Sequence, residues 1–203
     1  MNLWVFDNDG TLYDDTLAEK KFMELLYNYL SGILHLPPDL VKDYLIRIKE
    51  KYLTTSSLVA IKKELSISID EIIENTYLKL DLSSLVVGNT NVGMTLESLN
   101  EPRVILSNNP SAYVKKVLEC LNLTSYFSGI VGMQELNYIL KPHPNAFATL
   151  EKLYPGFERY ILVDDRLQNV QAAANFGWRA IWFNRTGREK PQEILEILSF
   201  SHL

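Results

Sequence analysis

A short apolar run that leads directly into two acidic residues constrains this chain more than any other stretch. Leu3-Trp4-Val5-Phe6 is rich in strand-forming residues and predicts a buried strand. Asp7-Asn8-Asp9-Gly10 follows at once. Side chains two residues apart in an extended chain point the same way, so we expect Asp7 and Asp9 to share one pocket and Asn8 to face away. Because buried carboxylates repel each other and lose hydration, this pocket requires a cation, a proton or a substrate.

Strands and helices alternate in the second half of the chain. The apolar runs that predict strands are 3–6, 103–107, 129–132, 160–164 and 178–183. Stretches with helical periodicity follow four of them, at 111–121, 145–153, 168–176 and 191–198. Continuous apolar strands that alternate with helices predict a doubly wound, Rossmann-like α/β fold whose parallel sheet is covered on both faces.

A long helical stretch separates the first strand from the others. Helices are predicted at 16–36, from an Asp39 cap through Ile48, at 57–65, and from Ser68 or Asp70 to Leu80. A crossover between parallel strands needs only about a dozen residues. We therefore predict an inserted helical cap domain at 15–82 and an α/β core domain at 1–14 and 83–203.

Composition limits the partners and the compartment. The net charge of −5 and the lack of a basic stripe argue against a nucleic-acid polymer as partner. No stretch resembles a signal peptide or a membrane span, so no membrane partner is expected. Cys120 is the only cysteine, which fits a reducing compartment, and we expect a cytoplasmic protein. The sequence does not determine the oligomeric state, and a monomer is compatible with it.

Polar residues stand at the ends of the predicted strands. Ser107-Asn108-Asn109 and Asp164-Asp165 each follow a strand, and Lys141 lies in a loop after another. Ligands of open α/β sheets bind outside the carboxyl ends of the strands. Several carboxylates without a cysteine or histidine partner favour Mg²⁺. A lysine and a hydroxyl beside them suit a phosphoryl group, which one carboxylate can attack while a second transfers the proton.

The stretch Asp7-Asn8-Asp9-Gly10-Thr11-Leu12 is similar to the first signature of the haloacid dehalogenase superfamily. Ser107, Lys141 and Asp164-Asp165 fall in order where that family places its second, third and fourth signatures. The resemblance covers residues 1–13 and about 95–185. It implies a Mg²⁺-dependent phosphatase that hydrolyses a small phosphomonoester through an aspartyl-phosphate intermediate.

The resemblance also implies a role for eight residues. Asp7 is the implied nucleophile, and Asp9 is the implied general acid and base, which also binds the metal through its backbone carbonyl. Ser107 and Lys141 complete the implied catalytic set. The implied metal ligands are Asp7, Asp9, Asp164 and Asp165. The implied substrate-binding residues are Thr11, Ser107, Asn108 and Lys141.

The substrate is less constrained than the reaction. Leu12-Tyr13 and Tyr52-Leu53-Thr54-Thr55 resemble the pyrimidine 5′-nucleotidase branch, so a nucleoside 5′-monophosphate is the first expected substrate among small phosphorylated metabolites. The presence of Asp9 disfavours the dehalogenase branch, which lacks this acid and works without a metal. Two alternatives stay open: a phosphosugar mutase of the same superfamily, and a catalytically silent phosphate-binding regulatory protein.

Overall fold

The computed structural model describes residues 1–89, 91–191 and 193–203. The chain divides into two compact units, one formed by Met1–Asp15 with Leu82–Leu203 and the other by Thr16–Asp81. The predicted core domain is 1–14 and 83–203 and the predicted cap is 15–82; that the second unit acts as a cap stays a prediction. None of the helices in the described residues is both long and apolar enough to cross a membrane.

Within the residues that the structure describes, the first unit contains the strands and four α-helices. Its strands are β1 Asn2–Phe6, β2 Tyr13–Asp14, β3 Val87–Gly88, β4 Arg103–Leu106, β5 Ile130–Val131, β6 Arg159–Asp164, β7 Arg179–Phe183 and β8 Leu195–Ile197. The α-helices of the described residues are α1 Thr16–Leu34, α2 Pro38–Lys51, α3 Ser57–Leu65, α4 Ile69–Asn75, α5 Val92–Ser98, α6 Ser111–Cys120, α7 Pro144–Leu153 and α8 Leu167–Phe176. The first four helices form the second unit.

Six strands form one sheet in the order β5-β4-β1-β6-β7-β8, and every neighbouring pair is parallel. Alternate residues of β1 pack on opposite faces of it. Leu3 and Val5 belong to one buried apolar cluster, whereas Phe6 belongs to the other. A sheet that is buried on both faces explains why its strands are continuous apolar runs. The predicted doubly wound α/β fold is confirmed.

The prediction of a carboxyl-terminal helix at 191–198 is wrong. Leu195–Ile197 forms β8, which pairs with β7 and places Leu195 beside Ile181. A short apolar run does not distinguish a strand from a helix, and here the backbone groups along β7 offer a partner. Ile197 is buried against the sheet. Gln192 of this prediction lies outside the described residues.

Some boundaries of the predicted elements also differ. Helix α2 begins at Pro38, with Pro37 rather than Asp39 as its N-cap residue. Proline suits the first helical turn because its missing N–H is not needed there. Helix α4 ends at Asn75, and a 3₁₀ turn, Tyr77–Lys79, follows it. The antiparallel pair β2–β3 lay outside the sequence prediction and joins the two ends of the first unit that flank the helical insertion.

Candidate active site

The carboxyl ends of three adjacent strands bring the predicted acids and the serine together. Asp7 directly follows β1, Ser107 follows β4, and Asp164 ends β6. β1 lies between β4 and β6 in the sheet, and all three strands run in the same direction. The Asp7 backbone N–H donates to the carbonyl of Val163, a 2.9 Å hydrogen bond that fixes Asp7 beside the end of β6. The parallel sheet thereby places these side chains at one edge.

Three carboxylates and one ammonium group form the centre of the site. Asp7, Asp164 and Asp165 each present a carboxylate oxygen, and these oxygens lie within 4.8 Å of one another. The Lys141 ammonium donates to Oδ1 of Asp7 at 2.9 Å and to Oδ2 of Asp164 at 2.7 Å. Asp7, Lys141 and Asp164 are all buried. The site therefore holds three acids against a single buried lysine.

The pKa values follow from this crowding. Burial, and then the Asp164 charge, raise the pKa of Asp7 well above its usual range, although Lys141 lowers it. Burial and Asp164 raise the pKa of Asp165 to about 7. Burial by itself lowers the pKa of Lys141, but the charges of Asp164 and Asp7 outweigh it, so that this pKa lies above its usual value. The lysine therefore stays charged, but its single positive charge does not balance three carboxylates.

The donor set fits a hard divalent cation. All three acidic residues offer oxygen ligands, which Mg²⁺ prefers. Oδ1 of Asp165 is buried and has no hydrogen-bond partner within the described part of the chain. A buried carboxylate oxygen without a partner is costly, and coordination to a cation would remove that cost.

The loop that carries Asp164 and Asp165 is held from several sides. The Asn169 amide donates to both oxygens of Asp164 at 3.0 Å. The Thr11 hydroxyl accepts from the backbone N–H of Asp165 at 3.0 Å, and the Trp182 indole donates to its carbonyl at 2.9 Å. These bonds orient the carboxylates before any ligand binds.

Asp9 stands apart from the three clustered acids. Its Oδ2 accepts from the Asn109 amide at 2.9 Å, and its Oδ1 accepts from the Tyr13 hydroxyl at 2.5 Å. The Ser107 hydroxyl lies 3.4 Å from the same Oδ2. The prediction that Asn8 faces away is wrong, because its buried amide donates to Oδ2 of Asp9 at 3.1 Å. Strand β1 ends at Phe6, and the Leu12 N–H donates to the Asn8 carbonyl at 2.9 Å, so the chain turns here and strand alternation does not extend to Asn8 and Asp9.

The residues predicted to bind the phosphoryl group fall into two pairs. Ser107 and Lys141 are buried beside the acids, and their polar atoms contact Asp9 and Asp7 respectively. Asn108 instead pairs with the Lys141 backbone, donating to its carbonyl and accepting from its N–H, both at 2.8 Å. Thr11 is fully buried under the Asp165 loop. The geometry gives Asn108 and Thr11 bracing contacts, and their contact with substrate stays a prediction.

Sequence reasoning assigned no role to the tyrosine pair behind Asp9. The Tyr13 hydroxyl, which donates to Asp9, lies 2.7 Å from the Tyr113 hydroxyl. Burial raises the pKa of both phenols, so both remain neutral hydrogen-bond donors. The pairing joins β2 to α6, which are distant in sequence, and a sequence pattern carries no signal for it.

Comparisons with known proteins agree with this architecture. The family model described as haloacid dehalogenase-like hydrolase matches residues 1–177. That match spans most of the chain. The chain belongs to the haloacid dehalogenase-like hydrolases. It is therefore an enzyme of this hydrolase class. None of the curated protein sequences compared with it matches significantly.

Solved structures of low sequence identity share the fold of this hydrolase. A HAD phosphatase from Thermococcus onnurineus matches with a TM-score of 0.73 and 23% identity, over 100% of this chain and 95% of that one. A 2-haloacid dehalogenase from Pseudomonas syringae matches with a TM-score of 0.68 and 20% identity, over 100% and 96%. The HAD-hydrolase YfnB from Bacillus subtilis, solved with magnesium, matches with a TM-score of 0.60 and 16% identity, over 99% and 96%.

Proposed function

We propose that this hydrolase is a Mg²⁺-dependent phosphatase that cleaves a small phosphomonoester through an aspartyl-phosphate. The observation that carries the proposal is the buried arrangement of Lys141 between Asp7 and Asp164, with Asp165 beside them. This arrangement holds a nucleophilic oxygen, a fixed cation and a set of metal ligands together. Phosphoryl transfer requires positioning and neutralisation of charge above all.

In the first step, a carboxylate oxygen of Asp7 attacks phosphorus. An oxygen–phosphorus bond forms to Asp7, the bond to the leaving group breaks, and Asp9 gives its proton to the departing oxygen. Lys141 holds the attacking carboxylate at 2.9 Å and contributes positive charge beside the phosphoryl oxygens. The Ser107 hydroxyl, 3.4 Å from Asp9, is close enough to orient the phosphoryl group toward that acid.

In the second step, the ionised Asp9 takes a proton from water while the water oxygen attacks phosphorus. The bond to Asp7 breaks, phosphate leaves, and Asp9 is protonated again for the next cycle. The contacts of Asn109 and Tyr13 hold the Asp9 carboxylate during both proton transfers.

Asp7, Asp164 and Asp165 would hold the cation, together with the backbone carbonyl of Asp9. A bound Mg²⁺ supplies charge neutralisation for the phosphoryl group and for the three carboxylates. This proposal explains why the fold keeps Asp165 with a buried, unpartnered oxygen. It also explains how three acids can be ionised together although burial raises the pKa of Asp7 and Asp165.

The presence of Asp9 supports phosphate ester hydrolysis rather than dehalogenation, since an ester leaving group needs a proton. A nucleoside 5′-monophosphate is the first substrate to test, on the resemblance of Leu12-Tyr13 and the stretch at 52–55. We also propose that the helical unit, Thr16–Asp81, selects the leaving group.

The test is hydrolysis of p-nitrophenyl phosphate and of nucleoside monophosphates by the purified protein, with Mg²⁺ and with EDTA. We expect phosphate release with Mg²⁺ and none with EDTA. Rapid acid quenching during turnover should trap the intermediate. Mass spectrometry should then show one additional phosphoryl group on the peptide that contains Asp7. Asp39→Asn, which changes an exposed acid in the first turn of α2, is the matched control for the Asp9→Asn variant described next.

Release that persists in EDTA would contradict the metal dependence. In Asp9→Asn the second step should be slow, so the phosphoryl-enzyme should accumulate. Absence of the phosphoryl-peptide from this variant and from the turning-over wild type would contradict the covalent mechanism. Transfer of the phosphoryl group to a sugar instead of water would indicate a mutase.

A further inference from the structure

A tightly held turn follows β7 at the same edge of the sheet as the acids. Asn184 is fully buried, and its amide donates to the Arg188 carbonyl at 2.7 Å while accepting from the Arg188 N–H at 3.0 Å. The Gly187 N–H donates to the Asn184 carbonyl at 3.1 Å, and Gly187 has a φ of +62° that suits glycine. These hydrogen bonds define the conformation of the turn.

This turn presents two guanidinium groups. The Arg188 guanidinium lies over the Trp182 ring, 5.4 Å from its centroid, and one of its nitrogens lies 3.5 Å from the Asp165 carbonyl. Nη1 of Arg185 lies 3.3 Å from Oδ1 of the half-exposed Asp14. Stacking on an indole reduces the entropy that an arginine loses when it binds a ligand. An exposed ion pair contributes little free energy, so a ligand can replace Asp14 at Arg185.

The two arginines border a cavity that adjoins the acid cluster. Its volume is about 360 Å³, and its lining residues are Asp165, Phe183, Arg185, Thr186 and Arg188. Asp165 belongs both to this lining and to the three clustered carboxylates. Asp165 is thus shared by the acid cluster and by a compartment that carries two guanidinium groups and a hydroxyl.

We propose that this cavity binds a second anionic group of the substrate, a carboxylate or a second phosphate. Guanidinium groups bind both anions through paired hydrogen bonds, and the Thr186 hydroxyl can add another donor. Asp14 pairs with Arg185, and Asp165, whose backbone carbonyl lies near Arg188, also lines the cavity. Asp165 is also part of the proposed metal site, so its charge is compensated there. The inference rests on the proposed phosphatase function and narrows its substrate class to anionic phosphomonoesters.

A pair of substrates that differ in one group tests the proposal. 3-Phosphoglycerate and glycerol 3-phosphate have the same carbon skeleton, with a carboxylate in the first where the second has a hydroxymethyl group. We expect kcat/KM to be about 10- to 100-fold higher for the carboxylate, mainly through KM, as expected for charged hydrogen bonds. Comparison of propane-1,3-diol bisphosphate with the corresponding monophosphate tests a second phosphate in the same way. A higher kcat/KM for the substrate with the additional carboxylate or phosphate supports the cavity as the site of that anion.

The double variant Arg185→Gln/Arg188→Gln should reduce the preference for the anionic substrate to about one. Arg179→Gln is the matched control, because Arg179 is exposed at the opposite end of β7 and should leave the preference unchanged. No preference in the wild type, or a preference that persists in the double variant, would overturn the proposal.

Equilibrium binding separates this proposal from the proposed reaction. In Asp7→Asn protein, calorimetry should show tighter binding of 3-phosphoglycerate than of glycerol 3-phosphate, and the double arginine variant should abolish the difference. If the wild type hydrolyses no phosphomonoester but this binding difference appears, the phosphatase function fails and the anion site stands. Equal binding of the two ligands to the Asp7→Asn protein refutes the anion site.

Discussion

The Tyr13 hydroxyl donates a hydrogen bond of 2.5 Å to Oδ1 of Asp9. The Tyr113 hydroxyl lies 2.7 Å from that of Tyr13. Since the single proton of Tyr13 goes to Asp9, Tyr113 is the donor in its contact with Tyr13. Two buried phenols thus hold the proposed acid and base from behind. The bond from Tyr13 stabilises the carboxylate that Asp9 becomes once it has given its proton to a leaving group, which suits the proposed acid and base.

Tyr13→Phe should therefore slow the step that depends on proton transfer. We expect kcat to fall about 10- to 100-fold for an alkyl phosphate, the range for a lost hydrogen bond to a charged group. The loss should be smaller for p-nitrophenyl phosphate, whose leaving group needs little protonation, and KM should change little. Steady-state kinetics with both substrates measures this difference.

Tyr160→Phe is the control for Tyr13→Phe. It removes a partly buried hydroxyl that donates to the Tyr154 carbonyl at 2.7 Å, near the opposite end of β6. We expect normal kinetics from it. Equal losses for the two substrates in Tyr13→Phe would show that the tyrosine serves packing alone.

Asp7→Asn should abolish turnover and retain the fold. The amide has nearly the same shape as the carboxylate but lacks the nucleophilic charge, so we expect kcat to fall by at least about 10³-fold. Circular dichroism should match that of the wild type, and thermal unfolding should stay cooperative. Near-normal activity in this variant would mean that Asp7 is not the nucleophile.

The acid cluster was predictable because its members stand at strand ends. Once the apolar runs are taken as parallel strands, Asp7 and Asp164 must meet at one edge of the sheet, and Lys141 is the cation that the loop after β5 brings to them. The contacts of Asp9 were not predictable, since Tyr113 reaches it through the packing of α6. The edge strand β8 was missed for a similar reason: its pairing depends on the exposed edge of β7 rather than on its own pattern.

Lys141→Met should destabilise the metal-free protein. It removes the ammonium that lies between Asp7 and Asp164 and leaves buried carboxylates uncompensated. Breaking a buried ion pair in this way costs about 3–5 kcal/mol of unfolding free energy. Denaturant unfolding in EDTA measures the loss, and Mg²⁺ should recover part of the stability without restoring activity.

Lys115→Met is the comparison, because the ion pair that Lys115 forms with Glu119, at 4.0 Å, is exposed. We expect a change within about 0.5 kcal/mol for it. A Lys141→Met protein as stable as this control would show that the buried ammonium does not stabilise the cluster.

The stability of the metal-free protein should fall as pH rises from about 4 to 7. Burial and Asp164 raise the pKa of Asp165 to about 7 in the folded chain, against an ordinary value of 3.8 in the unfolded chain. Between these values the folded state binds more protons than the unfolded state, so the free energy of unfolding decreases with pH. Below both values, and above both, this residue contributes no pH dependence.

Thermal unfolding in EDTA at several pH values measures this dependence for wild type and for Asp165→Asn. The variant cannot ionise at that position, so it should lose less stability than the wild type over the same interval. Mg²⁺ should stabilise the wild type more at pH 7 than at pH 5, because it binds the ionised carboxylates. Identical pH profiles for the two proteins would contradict a raised pKa at Asp165.

Gly10→Ala should disturb the metal site as well as the backbone. Gly10 has a φ of +76°, and a Cβ there would lie 2.6 Å from Oδ2 of Asp165. The left-handed conformation alone costs an alanine about 1–2 kcal/mol. The clash adds to this cost and displaces a carboxylate of the acid cluster. We expect a larger loss of unfolding free energy than strain explains, together with weaker Mg²⁺ activation.

Gly156→Ala isolates the part of this effect that comes from backbone strain. Gly156 has a similar φ of +87°, and a Cβ there would meet no atom within 4 Å. This variant should lose only the free energy of the left-handed conformation, with unchanged Mg²⁺ activation. Denaturant unfolding and Mg²⁺ titration of both variants make the comparison. If both lose the same stability and need the same Mg²⁺ concentration, then Gly10 serves the turn alone and the Asp165 carboxylate does not depend on the space beside it.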